Sequence, residues 1–403
     1  MTANDVKIGI ERIDTAALGA FANSAGVKAG IGNLNGFQDA LIAWVNKSGG
    51  LAGRKLTPVF FQANLSASNQ SNDAARCATW AEDNHVYAAQ AGITEGTGAV
   101  PCLARHGVVS INTLETAPGS VEDFNRYRPY YYAPSATETV SLARGYVAGL
   151  HSAGFFEPSA KIGLLYFDYP EFRVAKERGL KPALAQLGLS LSAEYSVSYS
   201  GNPAEAGNIS AAVSSAELKF ASLGVKKVLF LDSGGTLALF FMENAENQHQ
   251  TFDYGLNSTS DAAFLEGQSG ISSQLPRSVV AGVQPARDTN DLARAPRNPD
   301  RDRCFAILRA AGFVPGSAVD RQTMTEYCAF YFFLKATFDR ASSYGPRGFA
   351  EAAASLGHNP GTAAASNGDD FSTGLPWGAA RYGIARWRTD CSCFTYTGPS
   401  HPF

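Results

Sequence analysis

The chain reads as an α/β protein of two units, each a doubly wound parallel sheet, and three observations predict this. Its 403 residues exceed what one ordinary core holds, so two domains of roughly 150–200 residues are expected. Short apolar runs alternate with stripes of helical period, the rhythm of βα units whose strands run parallel. That rhythm starts again near residue 134.

The elements follow in order. Val6–Ile10 is a short buried strand, and a loop is expected to about Gly26. Val27, Ile31, Leu34, Phe37, Leu41, Trp44 and Val45 then recur at spacings of three and four, the stripe of an amphipathic helix. Asn46-Lys47-Ser48-Gly49-Gly50 ends it, with glycine available for a left-handed C-cap. Leu56–Phe61, Tyr87–Ala91 and Val108–Ile111 are strands, separated by helices over Ala74–Glu82 and Gly98–His106. In the second unit the helices are Ser135–Ala153, Phe172–Leu187, Ala206–Leu223 and Gly235–Gln248. Between and after them fall strands Lys161–Tyr166, Ser192–Ser198, Val228–Asp232, Phe252–Leu256 and Ser278–Val283. Arg287–Asp302 is rich in Arg, Asp, Asn and Pro and is expected to be a solvated loop. A strong helix, Met324–Ser342, puts Tyr327, Phe330, Tyr331, Leu334 and Phe338 on one face. Gly357–Gly374 is low in apolar residues and is expected to be an exposed excursion, before two final strands, Tyr382–Trp387 and Cys393–Tyr396.

Composition narrows the function. An apolar fraction of 45% with 17% charged residues marks an ordered globular chain. Net charge is −3 and the basic residues are not clustered, so no nucleic-acid partner is expected. No stretch approaches the ~20 apolar residues of a membrane span. The first residues, Met1 to Lys7, lack the apolar region of a signal peptide. They fit either a cytosolic protein or a mature chain whose export signal was replaced by Met.

The cysteines favour export. There are six, and Cys77, Cys102, Cys304 and Cys328 fall into local pairs about 25 residues apart, without the C-x-x-C spacing of zinc or thioredoxin sites. Three disulfides in an oxidising compartment are the economical reading. Each loop of about 25 residues closed in this way would contribute roughly 3 kcal/mol. Whether Cys391 and Cys393 pair with each other stays open, because a C-x-C ring is small.

Enzyme signatures are missing from the sequence. It holds no Gly-x-Ser-x-Gly elbow and no His-Glu-x-x-His helix. The histidines, His106 among them, are scattered and read as surface or capping residues. Asp288, Asp291, Asp300 and Asp302 lack calcium-loop spacing. No catalytic residue, cofactor or metal is expected. The positive signal is at the carboxyl ends of the strands, where open α/β sheets bind ligands. Four loops there carry small polar residues and lead straight into helices. They are Thr94-Glu95-Gly96-Thr97, Asn112 to Thr116 with Leu114 and Glu115, Asp168-Tyr169-Pro170-Glu171-Phe172, and Asp232-Ser233-Gly234-Gly235. Helix N-termini offer unpaired N–H groups to a carboxylate, although plain N-capping looks the same in sequence.

A family pattern lies at Asn46-Lys47-Ser48-Gly49-Gly50-Leu51-Ala52-Gly53-Arg54-Lys55-Leu56, an amphipathic helix that ends and turns into a strand. It resembles the branched-chain amino-acid (Leu/Ile/Val-type) periplasmic binding proteins, the type I solute-binding components of ABC transporters. The resemblance runs on through Val86–Gly98, His106–Ser110, Lys161–Tyr166, Gly224–Phe230 and Tyr327–Ala341, covering nearly the whole chain.

The resemblance implies two Rossmann-like lobes, residues 1–133 with 284–375 and residues 134–283 with 376–403, joined by a three-strand hinge. It implies a small polar organic ligand, an amino acid or a related carboxylate or aromatic compound, taken up by hinge closure. Lobe one would hold the ligand's carboxylate through Thr94, Glu95, Gly96, Thr97, Leu114, Glu115 and Thr116. Lobe two would add Tyr169, Phe172, Asp232, Ser233, Asn257 and Ser258. The partner would be an ABC permease, and the protein a monomer in the periplasm or at the cell surface. One departure bears on the ligand. Family members that bind an α-amino group often carry an acid where this chain has Asn257, and an amide cannot supply that charge. The rival expectations are a ligand-sensing regulator or receptor domain of the same fold, and, less favoured, an α/β hydrolytic enzyme.

Overall fold

The structure, a computed structural model, describes residues 2, 4–24, 27–90, 98–113, 119–157, 159–200, 205–358, 363–365, 370–372 and 374–403. Two sheets organise them. The first holds β1 (Asp5–Arg12), β2 (Lys55–Gln62), β3 (Ala88–Gln90), β4 (Val109–Ile111) and β5 (Tyr131–Tyr132). All five run parallel in the order β2-β1-β3-β4-β5. β2 takes the edge, where Pro58 costs least, since proline cannot donate to a ladder. The second sheet runs β7 (Leu191–Val197), β6 (Ile162–Phe167), β8 (Lys227–Leu231), β9 (Asp253–Leu256) and β10 (Ser278–Gly282) in parallel. Antiparallel β11 (Arg381–Arg388) and β12 (Cys393–Tyr396) extend it beyond β10, and β13 (His401–Pro402) pairs with β11. The α/β class with parallel sheets is as the sequence predicts.

The helices pack on both faces. Around the first sheet lie α1 (Thr15–Ser24), α2 (Leu34–Lys47), α3 (Asn69–Cys77), α4 (Val100–Arg105) and α5 (Val121–Arg126), with a π-turn over Ala78–Asp83 continuing α3. The second sheet carries α6 (Thr139–Ser152), α7 (Pro170–Val174), α8 (Lys181–Gln186), α9 (Ala206–Ser222), α10 (Thr236–Asn247) and α11 (Ala262–Leu265). A further π-turn, Ala175–Leu180, joins α7 to α8. The short α12 (Pro285–Asp288) sits between the lobes, and α13 (Pro299–Ala310), α14 (Ala318–Arg340) and α15 (Pro346–Ala354) return to the first sheet. One apolar core accordingly joins Val6, Ile8 and Ile10 of β1 to Leu41 and Val45 of α2 and Phe330, Phe333 and Leu334 of α14. A second core is built on β6, β8 and β9 with Val147, Val213 and Phe241.

The turn at Asn46–Leu56 shows why its residues are needed. The Asn46 side chain accepts from the Leu56 N–H at 2.7 Å and donates to the Leu56 carbonyl at 3.1 Å, clasping helix end to strand start. Gly50 has φ +68°, and a Cβ there would lie 2.0 Å from the Arg54 carbonyl oxygen, so glycine is obligatory.

Several expectations need correction. Thr15–Ser24 is helix α1, not loop; Asp14 caps it by accepting from the Ala17 N–H at 2.9 Å. Its alanines and glycine carry too weak a stripe to be read. The helix expected from Val27 begins only at Leu34, because Gly30 takes φ +59° and Asn33 caps the start. The expected loop Arg287–Asp302 opens in α12 and closes in α13, with Asn298 as the α13 N-cap. Asp288 there is not solvated but fully buried, and Arg287 is buried beside it. Within the expected exposed excursion, Ala363, Ala364, Ala365 and Phe371 are buried, and Asn298 donates to the Ala365 carbonyl.

All six cysteines pair. Cys77–Cys102 joins α3 to α4, Cys304–Cys328 joins α13 to α14, and Cys391 pairs with Cys393 at the start of β12. No helix among the described residues is long and apolar enough to cross a membrane.

Candidate functional site

Strand order places the site. In the first sheet β2 and β3 flank β1 on opposite sides, so the chain direction splits at the β1–β3 boundary. The second sheet splits likewise between β6 and β8. Neighbouring βα loops part company at such a point and leave a crevice outside the carboxyl ends of the strands. Among the described residues the loops concerned are 13–15, 168–170 and 232–235, and the last two hold the predicted segments Asp168–Phe172 and Asp232–Gly235 or lie beside them.

The first lobe's wall includes a hollow of about 610 Å³ beyond β1 and β2, lined by Asp14, Thr15, Asn35, Gln62, Asn64 and Ser66 among others. Behind it runs a buried polar chain. Arg76 reaches Glu11 at 2.9 Å and also pairs with Asp73, while Gln38 donates to the Glu11 carbonyl and to Gln90. Thr94, Glu95, Gly96, Thr97, Leu114, Glu115 and Thr116 lie outside the described residues.

In the second lobe, Tyr169 follows β6 directly. Its ring stands 5.6 Å from Phe167 and 5.9 Å from Phe172, and Phe167 in turn lies 5.5 Å from Tyr199, an aromatic group at the sheet edge. Phe172 itself is buried in the core, so of the two only Tyr169 is part-exposed. Burial raises the phenol pKa of Tyr131 in the first lobe, hydrogen bonds from Asn112 and the Gly119 N–H oppose this, and the charge of Glu171 adds a smaller upward push.

The remaining polar candidates are heavily engaged. Asp232 is fully buried and caps α10, accepting from the N–H groups of Ser233 at 2.7 Å and of Leu237 and Ala238 at 3.0 Å. Asn257 accepts from the Thr259 N–H and hydroxyl and donates to the Phe230 carbonyl. Ser258 donates to Asp288 at 2.8 Å and accepts from the N–H groups of Val283 and Gln284. Ser233 stays part-exposed in the loop between them. Tyr254 is core, its hydroxyl donating to Gln274.

Three chain segments cross between the lobes side by side. Ala133 exchanges backbone hydrogen bonds with Pro376 and Gly378, and Gln284 donates to the Ser135 carbonyl. Arg287 on the middle crossing is 4% exposed. It bonds Glu326 of α14 at 2.7 Å and Asp261 of the second lobe at 3.3 Å. Away from the crossings the lobes meet again. The Asn69 N–H donates to the Ser200 carbonyl at 2.9 Å, Gln268 exchanges hydrogen bonds with the Lys28 backbone, and Arg178 pairs with Glu122 at 2.6 Å. The guanidinium of Arg178 holds the Glu122 carboxyl down at about 2. These contacts, and Arg287 as a bridging residue, are not visible in the sequence, because each partner is distant in the chain.

No family model and no curated protein matches the sequence. Solved structures do. A branched-chain amino-acid ABC transporter protein from Thermus thermophilus with bound valine aligns at TM-score 0.68 and 15% identity, over 100% of this chain and 98% of that one. A solute-binding protein of an ABC transporter from Rhodopseudomonas palustris, in complex with p-hydroxybenzoic acid, aligns at 0.69 and 10%, over 99% and 97%. A periplasmic binding protein type 1 from Bordetella pertussis aligns at 0.66 and 12%, over all of both chains. At these identities the likeness is one of fold. With two switch-point sheets, three crossings and full-length superposition, the chain has the fold of the type I periplasmic binding proteins.

Proposed function

We propose that the protein captures a small carboxylate with an apolar or aromatic portion in the cleft between its lobes and delivers it, unchanged, to an ABC permease outside the cytoplasm. The observation that supports this reading is a switch point in each of the two sheets, with the lobes in contact at Asn69–Ser200 and Arg178–Glu122. The first lobe, including Thr94–Thr97 and Leu114–Thr116, would hold the carboxylate. Tyr169, Glu171 and Ser233 would meet the rest of the ligand from the second lobe. The aromatic group of Phe167, Tyr169 and Tyr199 favours a flat or branched apolar portion. Asp232 and Asn257, held by local hydrogen bonds, would shape the floor. Aliphatic and aromatic acids both occur in solved structures of this fold.

The test is thermal unfolding of ligand-stripped protein against branched-chain amino acids, benzoates, amides and sugars. A ligand at about 100 times its Kd should add about 2.7 kcal/mol to stability. A shift confined to one class of acids, with the compound recovered intact, supports capture. A shift with sugars alone, or turnover of the compound, would overturn it.

A further inference from the structure

Outside the cleft, four donors converge at the joint between α3 and α4. The Sγ atoms of Cys77 and Cys102, a Glu82 carboxylate oxygen and a His106 ring nitrogen all lie within 4.8 Å of one another. His106 Nε2 is 3.7 Å from Glu82 Oε1. Local geometry explains the convergence. Cys102 and His106 are four apart on α4 and its C-cap, so both project from one face. Cys77 and Glu82 are five apart, and the intervening π-turn, with its i→i+5 period, returns Glu82 to the position of Cys77. An ordinary α-turn would carry Glu82 round the helix. In sequence the arrangement is invisible, because neither pair has familiar metal-ligand spacing.

We propose that when a dithiol reduces Cys77–Cys102, these four residues bind one zinc ion. The dithiol is oxidised to its own disulfide, and each cysteine sulfur gains an electron and a proton. Zinc then displaces the two thiol protons, and neutral His106 and anionic Glu82 complete a four-coordinate shell. Two sulfurs, an imidazole and a carboxylate suit zinc, whose tetrahedral sites separate neighbouring donors by about 3.3–3.8 Å. His106 and Glu82 already stand at that spacing. The two sulfurs must move apart, for which half-buried Cys102 and its exposed neighbours leave room, while buried Cys77 anchors the site. Metal would thus replace the disulfide as the staple between α3 and α4. In the oxidised protein no thiolate is present and no zinc binds there.

The experiment uses full-length protein carrying Cys391→Ser and Cys393→Ser, which removes the other accessible pair; Cys304 and Cys328 are wholly buried. After mild dithiol reduction and removal of the reductant, zinc is titrated against a chromophoric chelator. One equivalent should bind tightly to the reduced protein and none to the oxidised protein. His106→Ala and Glu82→Gln keep the disulfide, so their folding is checked in the oxidised state. Each should weaken binding by at least about tenfold, the scale on which even indirect partners of a metal act. Absence of stoichiometric zinc in the reduced protein, or unchanged affinity in His106→Ala, overturns the proposal.

Discussion

Replacing Arg287 with alanine should be among the costliest single changes in this protein. Arg287 is 4% exposed and faces two carboxylates that are equally buried, Asp261 at 5% and Glu326 at 4% side-chain exposure. Its Nε and Nη2 both reach the same Glu326 oxygen, at 2.7 and 2.6 Å, and its Nη1 reaches Asp261 at 3.3 Å. Removing one partner of a buried ion pair costs about 3–5 kcal/mol, because the other charge stays out of water unpaired. Unfolding entropy of about 2.1 cal/mol/K per residue gives roughly 0.85 kcal/mol/K for a chain of this length, so Tm should fall by about 4–6 °C. The sign with pH is also set. Without the guanidinium, the two buried carboxylates bind protons more tightly in the folded chain than in the unfolded one. The stability lost is therefore greatest at about pH 8 and smaller at about pH 5, where protonation removes the stranded charge. Calorimetry of both proteins at the two pH values measures this directly. Adding Asp261→Asn and Glu326→Gln to the variant should recover most of the loss. A Tm within about 1 °C of wild type at pH 8, or a larger loss at pH 5 than at pH 8, would show that Arg287 does not neutralise this pair.

Two further outcomes follow from buried and rim charges. Glu217 on α9 is fully buried and burial pushes its carboxyl up, opposed by Gln248, so the folded chain holds the proton more tightly than the unfolded one. Glu217→Leu should leave stability unchanged at about pH 5 and raise it at about pH 8; a Tm drop at pH 8 would contradict this. Arg178–Glu122 is a solvent-exposed pair that exists only when the lobes meet, so on the capture reading Glu122→Gln should weaken ligand binding by no more than about threefold, and the effect should vanish in high salt. Isothermal titration at two salt concentrations reads both, and a tenfold loss that persists in salt would count against the rim assignment.

What the sequence made legible is what is local. β1, most of α2 and the Gly-rich turn after it follow from apolar period and from Gly50, which no other residue can replace, all within one stretch of chain. The long α14 is equally plain from its aromatic stripe, although its first six residues, with the Ser317 cap, lie before the expected start. α1 escaped because its small residues pack well without leaving a strong period. The Arg287–Asp288 segment was misread for a different reason. Charged residues look solvated in sequence, and only the approach of Asp261, Glu326, Ser258 and Tyr396 from distant parts of the chain makes burial affordable. The cleft was legible as a set of strand ends. Which polar groups there are already spoken for was not, since Asp232 as an N-cap and Asp232 as a ligand have the same sequence.

That distinction bears on selectivity. Asp232, Asn257 and Ser258 each spend their polar atoms on helix N-termini or on the middle crossing. Diverting one of them to a ligand would uncap α10 or loosen the crossing, a cost of about 1 kcal/mol for a lost cap before any affinity is gained. On the capture reading, the second lobe therefore contributes chiefly Tyr169 and Glu171, which would meet a ligand held by the first lobe only once the lobes close. A ligand shifts closure only by as much as it prefers the closed form. Groups that meet it solely after closure supply that preference, whereas groups on one lobe alone bind open and closed forms equally. Tyr169 and Glu171 are thus where substitutions should change closure and affinity together, and the floor residues are where they should first change stability.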